Sequence, residues 1–203
     1  MSVQQFISHV RKEAAKANVK VVLADSPYLI ADHYIRVGGY FDEENSILAV
    51  AKGKPIELWL PILAHEFSHF RQSQEHCKIW VDAVTSDGRD TTDVLFSWIR
   101  GEKMWRKNIE KCARASRMVE LDCERRTVKL FSKFDLPISK RAYIQRANAY
   151  VFFYNYVLLR RRWYKIGREP YVIQEICSQM PKTLYGNYER LPKKYVELYD
   201  KYC

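Results

Sequence analysis

The sequence predicts an α+β protein, with a small sheet of about three strands, antiparallel or mixed, packed on a helical majority. Two patterns carry that prediction. Short β-rich runs are confined to residues 20–51, and apolar residues then recur at helical spacing over most of the chain beyond residue 56. The 203 residues, 47% of them hydrophobic, suffice for one compact core. A mean hydropathy of −0.40 with only 7 Gly and 7 Pro argues against disorder and low-complexity sequence. A single domain over residues 1–203 is expected, because no repeat or linker divides the chain.

Val3, Phe6, Ile7 and Val10 make residues 3–17 an amphipathic opening helix that Asn18 closes. Lys20 to Ala24 is a short β-rich run, and Ser26-Pro27 marks a turn. Ile35 to Phe41 and Ser46 to Ala51 are two further β-type runs, joined by the polar tetrad Asp42-Glu43-Glu44-Asn45, which has the chemistry of a hairpin loop. The first section, residues 1–56, is therefore a helix and a sheet. Glu57 to His76 is helical, provided that Pro61 falls within about the first turn. Lys78 to Asp90 is an irregular excursion. Thr92 to Phe134 reads as two helices with a boundary near Gly101 or within Arg106 to Arg114, ended by Asp135-Leu136-Pro137. Over residues 139–203, Ser139 can cap an aromatic-rich helix from Lys140 to about Tyr164, and a tail with Pro170, Pro181 and Pro192 follows. That helix is apolar around most of its girth and is expected to be buried.

The 34 Lys+Arg against 24 Asp+Glu give +10 and a pI near 9.3, which raises nucleic acid as a partner. Eleven of the basic residues, against five acidic ones, lie between Arg100 and Lys133, and Arg160-Arg161-Arg162 adds a cluster. No zinc-finger, RRM or basic-zipper pattern accompanies them, so only weak, non-specific contact through a basic surface is expected. Long helices also display solvated basic faces for solubility alone. Five cysteines without a CxxC pair do not support a disulfide framework or a zinc ribbon, and they favour a reducing compartment. Neither a signal peptide nor an apolar run long enough for a bilayer is visible, so a soluble cytoplasmic protein with no membrane partner is expected.

The string Leu63-Ala64-His65-Glu66-Phe67-Ser68-His69-Phe70 is HExxH on a predicted helix. Residues four apart share a helix face about 6 Å apart, so His65 and His69 can converge on one metal ion. Glu66 beside them can take a proton from a water, the other requirement of metal-dependent hydrolysis. The plain alternative is a pair of ordinary partly buried histidines. A third protein ligand is needed. His76 is excluded, because seven residues past His69 is about 10 Å along the axis. Glu120 and Glu124 in Val119-Glu120-Leu121-Asp122-Cys123-Glu124 lie four apart on one helix face. One of them can bind the metal while the other orients a ligating histidine. The alternative for this pair is ion pairing with Arg117, Arg125 or Arg126 on a solvated face.

HExxH followed by a later ExxxE resembles the gluzincin branch of the zincin metallopeptidases. GYFDEEN, LAHEFSHFRQ, ELDCERR and YIQRANAYVFFYNYV are together similar to small metallopeptidases predicted in tailed bacteriophages, over about Val19 to Pro181. The resemblance implies a zinc-dependent peptidase with His65, His69 and Glu120 as zinc ligands and Glu66 as general base. Glu124 would support the site from behind a ligand, where Asp is more usual. It also implies a peptide substrate held as an added strand along Ser46 to Ala51, and a place in the host-cell cytoplasm or the virion. Tyr150, Tyr154 and Arg146 are available as oxyanion donors, although an aromatic stripe at helical spacing reads first as core. The competing function is a non-enzymatic nucleic-acid-associated or virion protein whose metal site is structural or vestigial.

Overall fold

A computed structural model describes residues 2–31, 36–184, 186 and 188–203. The chain is α+β. Its elements run α1 (Val3–Lys16), β1 (Lys20–Ala24), β2 (Leu29–Ile30), β3 (Arg36–Val37), β4 (Gly39–Asp42), β5 (Ile47–Ala51), α2 (Ile56–Gln74), α3 (Lys78–Val81), α4 (Thr91–Ile99), α5 (Arg106–Phe134), α6 (Lys140–Arg160), α7 (Gln174–Cys177) and α8 (Lys193–Tyr202). By packing, the chain forms two compact units. One contains residues 1–77 and 123–139, and the other contains 78–122 and 140–203. The division falls inside α5, between Asp122 and Cys123.

In the first unit, α1 opens on a capping box in which the Ser2 hydroxyl accepts from the Gln5 amide and the Gln5 side chain accepts from the Ser2 amide. Phe6, Val10 and Ala14 are its buried stripe, and Asn18 ends it in the left-handed region at φ 57°. The three-stranded sheet has the order β1-β5-β4, with β1 parallel to β5 and β4 antiparallel to it. The polar tetrad makes the β4–β5 turn, where the Asp42 carboxylate accepts from both the backbone and the side-chain amide of Asn45. The predicted run from Ile35 to Phe41 breaks at Gly38 into β3 and β4, with β3 pairing β2 in a separate two-stranded sheet. Ile35 itself lies outside the described residues.

One expectation is overturned here. Ser46 to Ala51 cannot be a docking edge, because β5 is the central strand with β1 on one side and β4 on the other. Its near-continuous apolar run, with Leu48 to Ala51 buried, is the composition of a strand paired and covered on all sides. The edges are β1 and β4.

Helix α2 lies against β4 and β5. Gly39 makes that approach feasible, since a Cβ there would meet Ile62 Cγ2 at 2.7 Å and the Ala49 carbonyl oxygen at 2.9 Å. Pro61 sits in the second turn of α2, one step further in than the sequence suggested, and leaves the carbonyl of the exposed Glu57 without its helical partner. Phe6, Phe67 and Phe134 bring α1, α2 and the end of α5 together, with ring centroids 6.2 Å (Phe6–Phe67) and 5.1 Å (Phe6–Phe134) apart. His9 packs on the last two of these rings. Burial pushes its pKa below the usual imidazole range, Lys133 adds to the effect and Glu13 opposes it.

In the second unit, α6 is the buried axis, as its all-round apolar surface predicts. Residues from Ala147 to Tyr154, Tyr150 excepted, are buried, and those from Ala149 onward share a core with Trp98, Ile109, Ile176, Tyr195 and Tyr199. Gly101, at φ 114°, separates α4 from α5, and Asp135, at φ 49°, terminates α5. Helix α6 stops at Arg160, short of Tyr164, with Arg161 left-handed at φ 51°. Among the described residues, no helix is long and apolar enough to cross a membrane.

Two measurements check this packing. Gly39→Ala should cost about 1–3 kcal/mol in denaturant unfolding, because one obstacle is a backbone carbonyl that cannot swing aside. The folded state also favours neutral His9, so that contribution is complete above the unfolded pKa of 6.5 and is lost as pH falls below it towards the lowered folded value. The thermal midpoint should therefore drop between about pH 7 and about pH 5, and it should drop less in His9→Gln.

Candidate functional site

Helix α2 carries its chemistry on one face. His65, His69 and Gln72 stand at i, i+4 and i+7, with Ser68 beside them, on a helix otherwise lined by buried Leu60, Leu63, Ala64, Phe67 and Phe70. In the same unit, residues Cys123, Glu124 and Thr127 of α5 meet this face. The Ser68 and Thr127 hydroxyls are 3.0 Å apart, and Ser68 donates to the Ala64 carbonyl at 2.8 Å. The Thr127 hydroxyl also lies 2.9 Å from the Cys123 carbonyl and 3.4 Å from that of Ala64. Cys123 Sγ reaches the His65 carbonyl at 3.3 Å. All four side chains of this seam are nearly or fully buried: Ser68, Cys123, Glu124 and Thr127.

The two imidazoles face each other through Nε2, 3.1 Å apart, with ring planes nearly perpendicular. Their other nitrogens face side chains, and that of His65 also lies 3.5 Å from Cys123 Sγ. His65 Nδ1 lies 3.5 Å from Glu124 Oε1, and His69 Nδ1 lies 2.9 Å from Gln72 Oε1. Glu124 is only 5% exposed, and its Oε2 is buried with no hydrogen-bond partner among the described residues. Burial opposes a charge on His65, but Cys123 and Glu124 outweigh it and hold its pKa well above the usual imidazole value. Glu66, half-buried, follows His65 directly on α2. His76 is exposed beyond the end of α2, left-handed at φ 42°, and is a helix-end residue.

This donor set fits zinc. Two nitrogens at about 2.0–2.1 Å from a tetrahedral ion stand about 3.3 Å apart, close to the spacing of the two Nε2 atoms. A ligating histidine characteristically turns its second nitrogen to a carboxylate or carbonyl oxygen; here Nδ1 of His69 meets an amide oxygen, and Nδ1 of His65 lies 3.5 Å from both Glu124 Oε1 and Cys123 Sγ. Among the described residues, one group of three donor side chains has ligand atoms within 4.8 Å of one another, namely His65, His69 and Cys123. The sequence had not singled out Cys123 or Gln72. Gln72 carried a signal in its i+3 spacing from His69, whereas a buried cysteine on a distant helix carried none.

Glu120, expected as third ligand, belongs to the second unit, one helical turn before Glu124 on α5. There its charge is felt by a group of tyrosines. Burial first, and Glu120 in addition, raise the phenols of Tyr150 and Tyr154 well above their usual range. These two hydroxyls are 3.3 Å apart. Tyr154 is 1% exposed and packs on Trp163, as the core reading of the aromatic stripe anticipated. Two of the three arginines proposed as partners for the carboxylates meet other groups. Arg117, 2% exposed, meets Glu189 at 3.0 Å and also Asn155, while Arg126 meets Glu75 at 2.6 Å. For Glu124, burial against His65 replaces the solvated face.

No family model, no curated protein and no solved structure matches this chain.

The Glu124 contact predicts a graded response. Glu124→Ala should lower zinc affinity about 10–100-fold in competition with a chromophoric chelator, and Glu124→Gln, which retains Oε1, should lose less.

Proposed function

We propose that the first unit is the hydrolytic centre of a zinc-dependent peptidase, as the gluzincin resemblance suggests. The supporting observation is the convergence of His65 and His69 through Nε2 at 3.1 Å, with Nδ1 of His65 turned towards a carboxylate. His65 and His69 would hold the ion. Two residues compete for the third protein position, Glu120 by the resemblance and Cys123 by proximity within the first unit.

Zinc, when bound, would supply a Lewis acid for the peptide carbonyl and make a neighbouring water easier to deprotonate. Glu66 would accept the proton of the attacking water and return it to the leaving amine. Glu124 keeps the His65 ring turned with Nε2 towards His69. Because β5 is central, the strand offered to an extended peptide is the edge strand β4, which packs on α2. The outer side of β4 would pair with the substrate main chain.

A non-enzymatic reading is kept alive by the basic surface, since a structural metal site on a nucleic-acid-associated or virion protein would need the same ligands. One experiment decides between the two. Zinc content and hydrolysis of an unstructured protein substrate are measured for the chain and for Glu66→Gln. The expected outcome is equal zinc in both, with cleavage lost in the variant by at least about 100-fold. Zinc in both and cleavage in neither supports the structural reading. The same zinc measurement on Glu120→Ala and Cys123→Ser identifies the third ligand as the variant that loses metal.

A further inference from the structure

The two histidines are supported unequally. His65 has Glu124, a carboxylate from another helix, whereas His69 has an amide from its own helix. Gln72 is 0% exposed, and its Oε1 lies 2.9 Å from His69 Nδ1. An amide oxygen only accepts, so this contact requires the proton of neutral His69 to sit on Nδ1. The Nε2 lone pair is then left facing His65 Nε2. The reverse amide orientation would donate to Nδ1 and place the proton on Nε2, the position a metal has to occupy. Gln72, three residues along the helix, therefore favours the tautomer in which His69 can act as a ligand.

We infer that Gln72 is the positioning residue for His69, so that the metal-binding signature of α2 extends from HExxH to HExxHxxQ. The inference rests on the zinc reading above. In a buried site, an unsupported imidazole can turn about its Cβ–Cγ bond or adopt the other tautomer, and either change removes Nε2 from the ion. Gln72 opposes both changes without adding a charge, because an amide oxygen is neutral where a carboxylate is not. Helix geometry supplies the reach, since positions three apart are neighbours on the surface of a single helix. The second ligand is thus fixed within α2, and the first depends on α5.

The test uses the full chain, ¹⁵N-labelled at histidine, with zinc added as the only probe. Long-range ¹H–¹⁵N spectra show which nitrogen of each ring carries the proton and which binds metal. The expected result is a His69 with a protonated Nδ1 and an Nε2 that coordinates zinc. Gln72→Leu, which keeps the side chain's bulk, should lower zinc affinity about 10–100-fold while the thermal melt remains cooperative. Gln72→Glu, which restores an acceptor, should recover it. A purely packing role for Gln72 would leave the tautomer unchanged in Gln72→Leu and would not be rescued by Glu.

Protonation of His69 at Nε2 in the wild type overturns the inference. So does a folded Gln72→Leu with wild-type zinc affinity. If Gln72→Leu fails to fold, the wild-type spectrum and Gln72→Glu decide. Should the wild type bind no zinc, the peptidase reading fails on its own. The same spectrum of the metal-free chain still decides whether Gln72 sets the His69 tautomer, with Nδ1–H upholding that contact and Nε2–H ending it.

Discussion

The arrangement of the histidines depends on a polar seam inside the first unit. The hydroxyls of Ser68 and Thr127, the Cys123 thiol and two backbone carbonyls lock α2 against the last turns of α5. An apolar interface tolerates small slides and rotations at little cost, but a buried hydroxyl that slides loses its partner and bears the desolvation penalty alone, about 1–3 kcal/mol. The seam therefore fixes both the register of α2 and its rotation about its own axis. With the rotation fixed, His65 meets Glu124, and His69 falls one turn further on beside Gln72. The sheet and the aromatic contacts of Phe6, Phe67 and Phe134 hold the opposite side of α2 and supply bulk stability, while the seam supplies direction.

The sequence revealed much of the local structure because its punctuation is chemical. Asn18, Gly101 and Asp135 each adopt a positive φ where a helix was expected to end or begin, and the tetrad between β4 and β5 makes the turn its composition implies. Periodicity identified α6 as buried before any partner was known. What stayed hidden depends on pairing between distant segments. No pattern in Ser46 to Ala51 says that a parallel neighbour, β1, will occupy one of its sides. Gly38 and Gly39 look like ordinary strand residues until Ile62 is found against them.

The site divides in the same way. The spacing of His65, Glu66 and His69 is written within one helix and could be read directly. The pairing of His65 with Glu124, across 59 positions of sequence, was reached only as an expectation from an ExxxE motif, and the structure places the second of those carboxylates against the imidazole. Cys123 escaped notice because nothing local distinguishes it from a buried small side chain. Gln72 stands three residues from His69, a spacing the sequence shows, but its burial against the ring is a property of the folded chain.

The first unit is discontinuous. Residues 1–77 are followed by a 45-residue excursion into the second unit before residues 123–139 return. On a ribosome, the histidine pair is therefore made well before its support. Until the chain has been synthesised through Ser139, α2 has neither its hydroxyl seam nor the Glu124 carboxylate, and His65 has no reason to turn towards His69. A chain interrupted anywhere between the two segments carries the motif without the geometry. The geometry of the histidine pair thus reports on completion of the fold, and the covalent order of the chain delays it until the tertiary partners of α2 exist.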